Sequence, residues 1–99
     1  MAKEKVTAWD PTEFLGDEKK MALYLEAALE ENDPALIAAA LGDIAKAKGM
    51  TEIAKETGLG RESLYKALST DGNPSFATIL KVLEALGLQL SAAPKRKSA

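Results

Sequence analysis

Apolar residues recur every three or four positions along most of this 99-residue chain, which is the spacing of one face of an α-helix. The pattern predicts helices over residues 17–31, 34–48, 51–57, 61–68 and 76–86. Alanine, leucine, glutamate and lysine are abundant in these segments, and all four favour helices. We therefore expect an all-α fold, a compact bundle of about five helices.

Residues with capping chemistry mark the ends of these segments. Asp33 is expected to cap the second helix, with Pro34 at its first position, and Gly49 is expected to end it in a left-handed conformation. Thr51 is the expected cap of the third helix and Ser75 that of the fifth. The helices should therefore be separated by short turns.

The apolar face of each long helix is expected to build the core. The residues predicted to point inward are Met21, Tyr24, Leu25 and Ala28 in the first helix, Leu36, Ile37, Ala40, Leu41 and Ile44 in the second, and Phe76, Ile79, Leu80, Leu83 and Leu86 in the last.

The two ends of the chain follow other patterns. Residues 1–16 predict an N-terminal arm with a short helical turn over DPTEFL. Residues 88–92, LQLSA, alternate apolar and polar positions as a short strand does. Residues 94–99 are expected to form a basic flexible tail, which leaves the helical domain at 17–93.

The segment TEIAKETGLGRESLYKALS, residues 51–69, has the spacing of two short helices joined by a sharp turn. Ala54 is small enough for a close helix crossing, and Gly58 suits a turn with positive φ. The apolar residues expected to hold the pair on the core are Ile53, Leu59, Leu64 and Ala67. Any small helical protein contains short helices and turns. The amphipathic helix that follows favours the interpretation that this pair presents a helix to DNA.

The second helix of the pair then turns long or polar side chains outward. We predict DNA contacts for Thr51, Arg61, Glu62, Ser63, Tyr65, Lys66, Ser69 and Asn73. Arg61 is expected to read a guanine, and Lys66 is expected to contact a phosphate.

The charge distribution bears on this hypothesis, because the whole chain has a net charge of −2 and DNA is a polyanion. Residues 1–45 carry four Lys against ten Asp and Glu, a net −6, whereas residues 46–99 carry nine Lys and Arg against five Asp and Glu, a net +4. The half with the helix pair is therefore basic, and local charge decides phosphate binding. Because +4 is modest, we expect a homodimer to double the contacts.

The absence of two residue types limits the catalytic and metal-binding chemistry that the chain can carry out. The chain has no cysteine and no histidine, so the commonest zinc ligands and the commonest general base are missing. We expect no enzyme activity, no cofactor and no metal site. No signal peptide and no apolar run of about 18 residues is visible, so we expect a soluble cytoplasmic protein without a membrane partner.

Residues 10–93 together resemble a known family. MTEIAKETGLGRESLYKALSTDGNPSFATILKVLEALGLQLSA looks like the helix-turn-helix of the Cro/phage-repressor superfamily. With the preceding YLEAALEENDPALIAAALGDIAKAKG it resembles the bacterial probable addiction-module antidote family, short antitoxins of the HigA-like kind. The resemblance implies a RelE/HigB-like toxin as partner, which is an mRNA-cutting protein, and binding of the operon's own double-stranded DNA as a dimer.

Two positions depart from the repressor pattern. Gly60 stands where a serine usually caps the reading helix, and Glu52 stands where a glutamine often contacts phosphate. These departures favour one alternative, a toxin-binding scaffold that does not bind DNA. A second alternative, a stand-alone prophage-type regulator without a toxin, also stays open. The acidic half is consistent with attraction to a basic toxin and equally with simple solubility.

Overall fold

The computed structural model of the chain describes residues 17–95. It contains five helices in that range: α1 Glu18–Glu30, α2 Pro34–Lys48, α3 Met50–Thr57, α4 Arg61–Ala67 and α5 Phe76–Leu86. Residues 17–95 contain no strand, so the predicted all-α bundle is confirmed. None of these helices is long and apolar enough to span a lipid bilayer. The predicted N-terminal arm and most of the basic tail lie outside the described residues.

Two helix starts follow the capping chemistry of the sequence. The Asp33 carboxylate accepts a hydrogen bond from the Ala35 N–H at 3.0 Å, and Pro34 begins α2. The Ser75 hydroxyl accepts one from the Thr78 N–H at 3.1 Å at the start of α5. Each cap satisfies a backbone donor that the helix itself leaves unpaired, so these predictions are confirmed.

The junction between α2 and α3 differs from the prediction. Helix α3 begins at Met50, so Thr51 is its second residue and not its cap. Gly49 alone separates the two helices, and its φ of 120° and ψ of 108° lie outside the left-handed helical region expected for it. The reason is Met50, which is buried in the core. Burying this side chain draws it into the helix and shortens the turn to one glycine.

Helix α2 lies at the centre of the bundle, because it packs against each of the other four helices. The core cluster consists of Met21, Leu25, Leu41, Ile44, Ala45, Met50, Ile53, Leu64, Leu68, Val82, Leu83 and Leu86. Every described helix contributes to this cluster, so no pair of helices has a separate core.

Gly42 allows α2 to approach the end of α4 closely. A Cβ atom added at this residue would stand 2.1 Å from the backbone carbonyl oxygen of Leu68. Any side chain here would collide with backbone, which cannot rotate away. The glycine therefore fixes the distance between α2 and α4.

Three side chains expected in the core face solvent. Leu36 is 41%, Phe76 65% and Leu80 45% exposed, whereas Val82, which was not assigned to the core, is buried. Helices α2 and α5 are apolar on almost every side, and α5 has only three polar residues. A nearly uniform apolar pattern does not define which stripe faces inward, so these assignments were wrong.

The predicted strand over residues 88–92 does not form. A strand needs a neighbouring strand to pair its backbone groups, and residues 17–95 offer none. The alternation has another cause: Leu88 and Leu90 pack partly against the core, and Gln89 is exposed between them.

Candidate nucleic-acid interface

The turn between α3 and α4 has the geometry that its glycines favour. Gly58 ends α3 with φ 75° and ψ 12°, a left-handed conformation, and its N–H donates to the Ala54 carbonyl at 2.9 Å. The Thr57 hydroxyl donates to the Ile53 carbonyl at 2.7 Å and closes the last turn of the helix. Gly60 is extended and stands at the N-cap position, directly before α4. The predicted role of Gly58 is confirmed.

Buried leucines and an isoleucine hold α4 against the bundle. Ile53 of α3, Leu64 of α4 and Leu68 just after α4 are all buried in the core cluster. Leu59 and Ala67 are half-buried. Because α4 has only seven residues, it cannot be stable by itself, and this packing determines its position.

The opposite face of α4 is open to solvent. Arg61, Glu62, Ser63 and Lys66 are exposed, and Tyr65 is 42% exposed. These are five of the eight residues predicted from the sequence to contact DNA, and the helix presents them together because Leu64 points inward.

The other three predicted residues lie elsewhere. Thr51 is exposed on α3, and Asn73 is exposed in the loop before α5. Ser69 follows α4 and is half-buried, and its hydroxyl donates to the Lys66 carbonyl at 2.9 Å. These residues are therefore outside the α4 helix, and the hydroxyl proton of Ser69 is already engaged.

Two cations lie near the ring of Tyr65. The Arg61 guanidinium carbon is 5.9 Å from the centre of the Tyr65 ring, and the Lys46 Nζ is 6.0 Å from it. Both distances are at the outer range of cation–π attraction, which contributes about 0.5–1 kcal/mol at exposed sites. Neither cation forms an ion pair with a carboxylate of residues 17–95. The ring therefore gathers two positive charges that remain available to an anion.

Lys46 was not predicted to be part of this site. It lies in the last turn of α2, where a basic side chain also compensates the negative end of the helix dipole. It reaches the α4 face only because α2 packs against α4. In the sequence, only the basic character of that last turn indicated that Lys46 could contact an anion.

Gly60 and Glu52, the two departures from the repressor pattern, are both at helix starts in the structure. No side chain caps the start of α4, because Gly60 has none to offer. Glu52 lies in the first turn of α3 and is exposed. Neither Gly60 nor Glu52 has a side-chain hydroxyl or amide group that could donate a hydrogen bond to a phosphate.

Comparison with known proteins identifies a family for the chain. A sequence profile of the family described as "Probable addiction module antidote protein" matches residues 5–94. An uncharacterized protein of Haemophilus influenzae (strain Rd) is 47% identical over 93 residues, which cover 94% of this chain and 96% of that protein. No solved structure matches the chain significantly.

Proposed function

This chain belongs to the family of probable addiction module antidote proteins, and from that membership and the open face of α4 we propose that it is the antitoxin of a type II toxin–antitoxin module. In this role it binds a RelE/HigB-like toxin and occludes the RNA-binding or catalytic surface of that toxin. As a homodimer it also binds the promoter of its own operon and represses transcription. The role is one of binding and not of catalysis.

The observation that carries the DNA-binding part is the arrangement of Arg61, Tyr65 and Lys46. A seven-residue helix is about 10 Å long, and the major groove of B-DNA is about 12 Å wide. With Leu64 turned to the core, α4 can enter that groove with Arg61 directed at base edges. Lys46, on the neighbouring helix, is placed to contact a phosphate of the adjoining backbone.

The dimer follows from the small number of basic groups. The half of the chain with this site has a net charge of +4, so one copy neutralises few phosphates and binds weakly. Two copies double the phosphate contacts. Their α4 helices would lie about 34–36 Å apart on a palindromic site, one turn of the DNA helix.

The DNA contacts are tested by removing single cations. We expect Arg61→Ala to lose about 1–3 kcal/mol of binding energy and to relax base preference at one position of the promoter. Lys66→Ala should weaken binding to all sequences alike and reduce the salt dependence by about one phosphate contact. Fluorescence anisotropy with labelled promoter DNA measures both effects.

Lys81→Ala is the matched control, because it removes one exposed cation from α5 and leaves α4 unchanged. Equal losses in the Arg61 and Lys81 variants would mean that only net charge matters. Absence of any promoter preference in the wild-type protein would contradict the repressor role.

Two alternatives predict different results. The uncapped start of α4 and the exposed Glu52 favour a scaffold that binds the toxin and not DNA, and filter binding at low salt separates the two. A stand-alone regulator would bind its promoter, with no toxin in the neighbouring reading frame.

A further inference from the structure

A groove of about 320 Å³ lies between α1 and α2. Its lining residues are Tyr24, Ala27, Ala28 and Glu31 of the α1 side and Leu36, Ala39, Ala40 and Asp43 of α2. On both sides these positions follow the spacing i, i+3, i+4, i+7, so the groove extends along two helical turns, about 10 Å.

The floor of the groove is apolar and shallow. Four of its lining residues are alanines, so the backbone of another helix can approach without a large side chain in the way. Leu36 is 41% exposed at one end, and Leu23, one position before Tyr24, is 63% exposed. Exposed apolar side chains in and beside a groove between two helices are suited to contact with the apolar face of another helix.

Both ends of the groove are acidic. Glu31 lies at the end with Leu36, and Asp43 lies at the end with Tyr24. The Tyr24 hydroxyl donates to one carboxylate oxygen of Asp43 at 2.7 Å, which holds that carboxylate at the rim. Among the residues that the structure describes, the lining includes two carboxylates and no lysine or arginine.

We propose that this groove is the surface that receives the toxin, an inference that rests on the proposed antitoxin function. The occupant that fits is a helical segment of the toxin with apolar side chains along two turns and a lysine or arginine toward each end. The cations would meet Glu31 and Asp43, and the apolar side chains would cover the alanines. This is the recognition of an amphipathic helix by a groove.

The charge of the chain supports a basic occupant. The groove belongs entirely to the half with a net charge of −6, whereas the α4 face belongs to the half with +4. A basic protein that binds RNA is attracted to the first half and repelled by the second. Toxin and DNA are therefore expected to bind separate surfaces, and one chain can hold both.

Two alanines of α1 provide a matched test. Ala27 lines the groove and Ala22 lies on the same helix away from it, and both are exposed. Ala27→Arg places bulk and a positive charge where the toxin helix would lie, and Ala22→Arg adds the same charge outside the groove. The probe is the toxin encoded by the neighbouring reading frame, and its affinity is measured by titration calorimetry.

We expect Ala27→Arg to weaken toxin binding by at least about 30-fold, the effect of disrupting a central interface residue. Ala22→Arg should bind the toxin like the wild type. Glu31→Gln should weaken binding several-fold and reduce its dependence on salt. All three variants should shift promoter DNA as the wild type does, and their melting temperatures should stay close to that of the wild type.

The outcomes separate this inference from the proposed function. If the wild-type protein does not bind the toxin, the antitoxin function itself is wrong. If the toxin binds the wild type and Ala27→Arg equally well, the function stands and the groove is not the docking site. If Ala27→Arg instead changes the oligomeric state or the melting temperature of the protein alone, the groove holds a second copy or residues 1–16, and the inference is overturned.

Discussion

The α1–α2 pair and the α3–α4 pair are built on different physical principles. Helices α1 and α2 have 13 and 15 residues, so each forms several turns of its own backbone hydrogen bonds. Helices α3 and α4 have eight and seven residues, too few for stable isolated helices. The α1–α2 pair therefore depends less on tertiary contacts for its helical structure. The position of the α3–α4 pair is determined by its packing against the core.

This difference determines what each pair does. The long pair, residues 18–48, carries six Asp and Glu against four Lys and leaves a groove between its helices. The short pair, residues 50–67, carries three cations and three carboxylates, and two of its cations, Arg61 and Lys66, lie on an exposed face of α4 that contains almost no structural residues. Substitutions on the outward face of α4 should therefore alter binding without altering stability, whereas substitutions under it should remove the binding surface altogether.

The largest expected effect comes from Leu64→Ala. Leu64 is buried and is one of few anchors of α4, so the free energy of unfolding should fall by about 2–5 kcal/mol. Leu23→Ala is the control, because Leu23 is on the long α1 helix and largely exposed; it should cost less than about 0.5 kcal/mol. Urea denaturation measures both, and equal values would refute the dependence of the short pair on the core.

A smaller loss is expected for Gly42→Ala. The new Cβ would lie against the Leu68 carbonyl oxygen, and overpacking of this kind costs about 1–3 kcal/mol, of which the better helix propensity of alanine recovers up to about 1. Gly60→Ala, whose nearest neighbour would be the Ser63 hydroxyl at 3.7 Å, should be nearly neutral. Thermal melts distinguish the two, and an unchanged Gly42→Ala variant would mean that α2 and α4 can separate at no cost.

The smallest effect concerns the α1–α2 pair and the dependence of its contribution to stability on pH. The hydrogen bond to Asp43, partial burial and the carboxylate charge raise the pKa of Tyr24 from 10.0 to about 12. A raised pKa in the folded state means that this contribution is fully present below pH 10 and is lost as the pH rises to about 12. Tyr24→Phe should cost about 0.5–1.5 kcal/mol at pH 8.

The control for the Tyr24→Phe prediction is the same comparison of the variant with the wild type at a series of pH values. The stability difference between the wild type and Tyr24→Phe should shrink between pH 10 and pH 12, measured by urea denaturation at each pH. A difference that stays constant across that range would show that the hydroxyl of Tyr24 does not stabilise the folded protein.

The sequence predicted part of the local geometry, although the caps expected at Gly49 and Thr51 differ in the structure. Asp33 and Ser75 cap helices with their own side chains, Gly58 ends α3 with a left-handed backbone, and all three were assigned correctly. The outward direction of Arg61 and Lys66 was also predicted, because the inward position of Leu64 determines it.

Features that depend on tertiary packing were not predicted. Tyr24 and Asp43 are 19 positions apart, as are Lys46 and Tyr65, and no local pattern indicates that either pair is in contact. Phe76 was placed in the core because α5 is apolar on almost every side. The contacts of Tyr24 with Asp43 and of Lys46 with Tyr65, and the exposure of Phe76, follow from how the helices pack against each other.

The central claim is that DNA and toxin are bound by separate surfaces, the outward face of α4 with Lys46 and the groove between α1 and α2. The most direct test measures both affinities for Arg61→Ala and Ala27→Arg, with labelled promoter DNA and with the neighbouring toxin. The account predicts that Arg61→Ala weakens DNA binding and keeps toxin binding, and that Ala27→Arg weakens toxin binding and keeps DNA binding. A single variant that loses both ligands while remaining folded would contradict it.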